Sequence, residues 1–274
     1  DPESVMARQS AYWVDTLSGS PEVLPLPTDR PRPAVASLRG DTVPFEIDAG
    51  VHARLAAVAA EHNSSSFMIV HAALAILLAR LSGTEDISVG TPISGRGDAA
   101  LDELVGMFVN TLVLRTQVSG STRFADLLSE VRSTDLAAFT HADVPFERVV
   151  DAVDPARSTA HAPLFQVMLE FQQTERPTVT LPGLSIEGIE LPNDISNFDL
   201  QLTVAEEFDA SGAPLGITAG FRYATELFDA DTVGVFAERL VRILDTVTAD
   251  PSVEVGDIDI LSADEYDSLA PVRG

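Results

Sequence analysis

The chain has 274 residues, 45% of them hydrophobic, and a formal net charge of −25 from 17 basic and 42 acidic side chains. It contains no cysteine, and all of its basic residues are arginine. These facts exclude a disulfide framework, a thiolate zinc site, a cysteine nucleophile, a P-loop lysine and a Schiff base, and they leave no basic footprint for nucleic acid or an anionic membrane.

The length allows one large domain or two small ones. No run of 18 apolar residues marks a membrane span. The lack of cysteine fits a reducing compartment, so a cytoplasmic location is expected. The opening Asp1-Pro2-Glu3 has no initiator Met and no basic-then-apolar signal, which suggests a start inside a longer protein.

Residues 3–17 carry Val5, Met6, Tyr12, Trp13 and Leu17 among polar positions and predict an amphipathic helix ended by Ser18-Gly19. "SPEVLPLPTDRPRPAVAS", 20–37, is too rich in proline for a helix and reads as a stiff strap. "DTVPFEID", 41–48, alternates as a strand, and helices follow over 50–62 and 67–81. The second of these is apolar on almost every side, so it should be buried. "DISVGTPI" and residues 107–118 read as strands. Residues 122–141 form a helix with Phe124, Leu127, Leu128, Val131 and Leu136 as its apolar positions. From 164 the period becomes that of strands: 164–172, 178–191, 197–208 and 215–224. A helix at 230–247 and a short "VGDIDIL" close the chain. The fold class is α/β, a mixed sheet packed by helices.

None of the five histidines falls in metal-binding spacing. His71, inside the apolar helix, should be a satisfied core residue. His52 and His62 are expected at the surface, and His141, before "ADVPFE", should bond backbone near a turn. Asp102-Glu103 and Glu206-Glu207 read as solvated faces in so acidic a chain. "VGTPISGR", Val89–Arg96, runs from a strand into a tight turn, but it matches neither a phosphate loop nor a G-x-S-x-G elbow. The RGD triplet within "SGRGD" is too short to support an adhesion role.

Several stretches, in order, resemble the condensation-domain family of nonribosomal peptide synthetases, relatives of the chloramphenicol acetyltransferase fold. "YWVDTLSGSPEVLPLPTDRPRP" is similar to the segment joining that family's two lobes. "DISVGTPISGRGDAALDELVGMFVNTLVLRT", "HADVPFERVVDAVDPARSTAHAPLFQVML" and "NFDLQL" resemble its later motifs. The family's first-lobe HHxxxDG motif has no counterpart here, because the chain holds no His-His pair.

The resemblance therefore implies an inter-lobe helix and strap over 1–40, the C-terminal lobe over 41–261, and from 262–274 a linker toward an adenylation domain. No catalytic residue is assigned. Ser94, Gly95, Arg96 and Asn110 are implied near the substrate tunnel, with Gly95 permitting close backbone approach. For Arg96, a buried ion pair competes with substrate contact. For Asn110, bonding a neighbouring loop competes with lining the tunnel. His141, Pro145, Phe146, Phe198 and Asp199 are expected to be structural. No cofactor is bound directly, and the phosphopantetheine arm of carrier proteins acts as the substrate tether. Partners would be donor and acceptor peptidyl carrier domains, the N-terminal lobe and the adenylation domain. Arg30, Arg32 and Arg39 are candidate docking cations. The motif wording leans toward a D-configured donor. A non-catalytic platform that recruits a tailoring enzyme and an epimerisation-domain lobe are the competing readings.

Overall fold

Polar caps mark where the first three helices start. Ser4 accepts the amide of Ala7 and opens α1, Val5–Leu17. Asp48 accepts the amides of Gly50 and Val51 and opens α2, Ala49–Glu61. Ser65 accepts that of Met68 and opens α3, Ser66–Ser82, which ends on Gly83 in the left-handed conformation at φ 69°. α4 spans Phe124–Thr140, α5 Phe146–Val153 and α6 Ala230–Ala249. The strands are β1, Gly40–Ile47; β2, Asp86–Ile93; β3, Asn110–Gln117; β4, Val167–Gln172; β5, Leu200–Phe208; and β6, Pro214–Ala224. This computed structural model describes residues 4–95, 103–172, 194–262 and 265–267.

The strands form one sheet in the order β1-β6-β5-β4-β2-β3. β2, β4 and β5 run parallel to one another, while β1–β6, β5–β6 and β2–β3 are antiparallel pairs. Side chains alternate across the sheet, so its two faces differ. Val167 and Leu169 of β4 and Leu200, Leu202 and Val204 of β5 point into the main core with α2, α3, the N-terminal part of α4, and α6. On the opposite face, Trp13 and Leu17 of α1 and Val149 of α5 close over Val113, Phe165 and Met168. Among the described residues, that cover reaches only the β2–β3 side. Thr42, Glu170, Gln172, Gln201, Thr203, Thr218 and Arg222 line an open trough of about 1170 Å³ over the rest of the face.

Arg115 of β3 fastens α1 to the sheet. Its guanidinium makes a two-pronged pair with Asp86 at 2.9 and 2.6 Å, and it donates to the carbonyls of Thr16 and Ser18, both at 2.9 Å. The Asp86 hydrogen bond holds the Arg115 charge more firmly than in water. Pro-rich as it is, the strap is sewn down by its non-proline residues. Leu24 and Leu26 enter the main core. The amide of Leu24 donates to Gln166 Oε1 at 2.8 Å, and Gln166 Nε2 returns to the carbonyls of Glu22 and Ala162. Asp29 caps α6 from outside by accepting the Asp229 amide and the Thr232 hydroxyl.

Several expectations are corrected. His52 is fully buried, not at the surface, and its Nε2 lies 3.2 Å from Glu206. Glu206 is therefore a partner of a buried ring and not part of a solvated face. Leu136 is exposed. The third strand begins at Asn110, not 107, and α5 is an additional helix. "VGDIDIL" holds a 3-10 turn, Val255–Asp257. The strand expected over 178–191, and Asp102, lie outside the described residues. His71 is a satisfied core histidine, with Nδ1 at 3.1–3.2 Å from the Asp135 carboxylate and Nε2 at 3.5 Å from Thr116 Oγ1.

Replacing Arg115 with Leu leaves Asp86 unpaired and two helix carbonyls uncapped. It should cost about 2 kcal/mol. Amide exchange should rise in residues 5–17 and stay unchanged in α3, as hydrogen–deuterium exchange would read.

Candidate functional site

β2 carries the "GTPISG" stretch out of the sheet, and β3 brings "FVNT" back into it, with Ile93 paired to Asn110. Ser94 and Gly95 are exposed at the end of β2. A Cβ on Gly95 would lie 2.0 Å from the carbonyl oxygen of Phe108. The close approach that this glycine permits is thus to the returning limb of its own connection, two residues ahead of β3. Arg96 lies outside the described residues.

After Gly95 the connection presents an apolar surface. Leu104, Val105, Met107 and Val109 are all exposed, Val105 completely. Four large apolar side chains spread over six positions are more than a scattered surface hydrophobe requires.

Asn110 is a hub. Its Nδ2 donates to the carbonyls of Ala142 at 3.0 Å and Val144 at 2.9 Å, and its Oδ1 accepts the Phe146 amide at 3.0 Å. The whole amide is spent on the turn that leads into α5. Of the two readings for Asn110, the loop-bonding one describes these contacts. Pro145 takes the position before α5, where its missing N–H costs nothing.

His141 ends α4. Its Nδ1 lies 2.7 Å from the Ala137 carbonyl, which makes that nitrogen the protonated one, and its carbonyl accepts from Trp13 Nε1 at 2.9 Å. The ring stacks on Tyr12 at 3.9 Å. Burial, the largest influence, pushes the Tyr12 hydroxyl up from its ordinary pKa. Gln9 completes the contact of α1 with this turn, donating to Asp143 Oδ2 at 2.8 Å and accepting its amide.

An aromatic row then joins motifs that are far apart in sequence. Phe146 lies 5.7 Å from Phe165, and Phe165 stacks on Phe198 at 5.3 Å. Gly90 of β2 lies beneath Phe165, where a Cβ would come within 2.2 Å of the ring. Beside Phe198, Asp199 is buried and accepts both terminal nitrogens of Arg32, which also reaches the Ala160 carbonyl. Arg32 is therefore occupied within the chain, and its charge is held up by the Asp199 hydrogen bond. Arg30 is likewise paired, with Asp229. Only Arg39 of the three candidate docking cations has an exposed side chain with no pairing described.

Asn110, His141, Pro145, Phe146, Phe198 and Asp199 thus share the sheet face that carries α1 and α5, with Ser94 and Gly95 at the end of the neighbouring strand. Sequence reasoning missed Gly90, Phe165 and Gln166, which lie inside quoted motifs but signal nothing without their partners. No group of three or more acidic or histidine side chains fit to hold a metal occurs among the described residues.

A family profile described as Condensation domain matches residues 2–270. The chain is 48% identical over its full length to a probable non-canonical nonribosomal peptide synthetase of Salinispora arenicola, of which it covers 4%. It is 44% identical over 98% of its length to a dimodular nonribosomal peptide synthase of Bacillus subtilis, of which it covers 11%. It therefore spans a small fraction of these relatives. Among solved structures, the X-domain from teicoplanin biosynthesis superposes with a TM-score of 0.88 at 32% identity, over 95% of this chain and 58% of that one. The same domain in complex with OxyB gives 0.87 at 33% identity, over 96% and 57%. The first condensation domain of the calcium-dependent antibiotic synthetase shares the fold, with a TM-score of 0.76 at 21% identity over 95% and 55%.

Gly95→Ala must displace backbone, and it is expected to destabilise the chain by about 1–3 kcal/mol. Asn110→Ala should cost about 2–3 kcal/mol, because two carbonyls and an amide lose their partner. Urea denaturation at unchanged m-value reads both effects.

Proposed function

The chain belongs to the condensation-domain family, and from that premise we propose that it is the C-terminal lobe of a peptide-bond-forming condensation domain in a nonribosomal peptide synthetase. The observation that carries this reading is the exposed apolar run Leu104–Val109 beside the Gly95 turn. An apolar surface next to the chain's most family-like motif calls for a covering body, and the N-terminal lobe is that body. The absence of a His-His pair from the sequence agrees with it.

On this reading the parent domain joins an acyl thioester on one carrier protein to the amine on another. Such a step needs two tethered substrates held in line, and a group that handles the amine proton or stabilises the tetrahedral intermediate. The proton-handling group belongs to the other lobe. This chain supplies the opposing wall: Ser94 and Gly95 at the strand end, backed by the Asn110 hub and the Phe146–Phe165–Phe198 row. The carriers' phosphopantetheine arms are the only tethers involved, and no cofactor is held directly. Donor and acceptor carrier domains, and an adenylation domain beyond residue 262, are its partners in a cytoplasmic synthetase. Docking to acidic carriers must work against a net charge of −25, so it needs local arginine patches and should be weak and salt-sensitive.

A second reading is favoured by a specific observation. The X-domain, a relative seen in complex with OxyB, superposes at 0.88 and 0.87. On that reading the lobe is part of a platform that recruits a tailoring enzyme.

A single-turnover assay with loaded carrier proteins separates the two. The 274-residue chain alone should form no amide, and the chain joined to an upstream lobe carrying HHxxxDG should form it. Product from the chain alone, at the rate of a two-lobe domain, overturns the lobe assignment. A joined protein that forms none but binds a tailoring enzyme supports the platform.

A further inference from the structure

We propose that His52 is an acid-operated latch on the β5–β6 hairpin: a proton on its Nδ1 releases the Gly216 amide and frees the hairpin end that borders the open trough. The inference does not depend on the condensation reading.

His52 sits in the first turns of α2 with its ring fully buried. The Gly216 amide donates to Nδ1 at 3.3 Å, and Nε2 lies 3.2 Å from Glu206 Oε1. A backbone amide can only donate, so the nitrogen it faces must offer a lone pair. The ring's single hydrogen then sits on Nε2 and points at Glu206. Phe208 packs edge-on against the ring at 5.0 Å. His52 thus contacts both strands of the hairpin from a helix outside it.

Protonation changes one side of the ring only in kind and the other in sign. The Nε2 contact to Glu206 becomes a charge-assisted bond and strengthens. On the other side, an N–H on Nδ1 faces the N–H of Gly216, so that bond is lost and two donors oppose each other. Gly216 has little room to adapt. Its φ is +131°, and a Cβ there would already lie 3.0 Å from the Ile47 carbonyl. The ladder shifts register next to it, between Glu207 and Phe208, so the hairpin is least regular where the latch holds it.

The other charged groups around α2 are already committed. Asp48 accepts the amides of Gly50 and Val51, and Asp245 of α6 pairs with Arg54. Glu207 accepts from the Thr218 hydroxyl at 2.8 Å. On α3, the buried ionisable side chain is His71, which Asp135 holds. Glu206 is therefore the group that takes up the imidazolium charge. Glu206, Glu207, Phe208 and Leu215 line the trough, so release of Gly216 loosens its rim. The latch is closed while Nδ1 keeps its lone pair for Gly216 and opens when that nitrogen takes up a proton.

The test is an NMR titration of the intact 274-residue chain between about pH 8 and about pH 5. The Gly216 amide shift should move with the same midpoint as the His52 ring. Its exchange rate, corrected for the intrinsic pH dependence, should rise about fivefold, while the Gly83 amide at the end of α3 stays unchanged. His52→Asn, whose Oδ1 can take the place of Nδ1 but holds no proton, should abolish the pH dependence. Glu206→Gln should move the midpoint to lower pH. The proposal is overturned if the ring stays neutral across the range, or if it titrates while Gly216 does not respond. Both outcomes are read on the unaltered chain, so they stand even if a variant fails to fold.

Discussion

α3 has no wet side, and the rest of the molecule follows from that. Every residue from Met68 to Leu78 is buried, so sheet, α2, α4 and α6 must all contribute apolar surface to one helix. At about 1.5–3 kcal/mol for each fully buried aliphatic side chain, this cylinder is a dominant stabilising term. It also admits one polar intruder at a price in partners. His71 stays inside because Asp135 and Thr116, equally buried, take its two ring nitrogens. With α2, α3, α6 and most of α4 on one face, α1 and α5 are the helices that cover the other among the described residues, and they reach only part of it. The trough is what this unequal division leaves.

The sequence made this division partly legible. An apolar run of helical length announces a buried helix by composition alone, and 67–81 was readable for that reason. Alternation at 41–48 and 86–93 marked strands because one face of each is packed. α5 escaped because eight residues carry too short a period to distinguish it from a turn after Pro145. His52 was misread because helix periodicity reports which side of a helix is apolar, and says nothing about a hairpin end 154 residues away that supplies Glu206. The motifs near the site could be located as strings, yet their roles depend on contacts between strings. Asn110 explains itself only once the 142–146 turn lies beside it, and Gly90 only once Phe165 lies over it.

Two kinds of surface result. The face carrying α1 and α5 is held by directional bonds: the Asn110 hub, the Arg32–Asp199 pair, Gln166 and Arg115. The connection after Gly95 presents apolar side chains to the outside. A stiff layer beside an unfinished apolar surface suits one half of a cleft, because position is preset and cover comes from elsewhere. The arginines that would have been free to recruit acidic partners are mostly spent on this internal stitching. Electrostatic attraction is thus a minor part of what the surface offers, and shape and apolar contact carry more of it.

The strap has a further consequence. Its prolines offer no amide hydrogen, so it cannot join the sheet as another strand. It is held instead at discrete points: Leu24 on Gln166, Asp29 on the start of α6, Arg32 on Asp199, Ala36 on Thr159. Those points lie just ahead of two strands, in a loop and at a helix N-terminus, so the segment before the first strand is wired into elements from the far end of the chain. For anyone grafting this unit into another assembly line, the seam belongs ahead of α1. A cut inside the strap would divide a harness whose buckles are all on the downstream side.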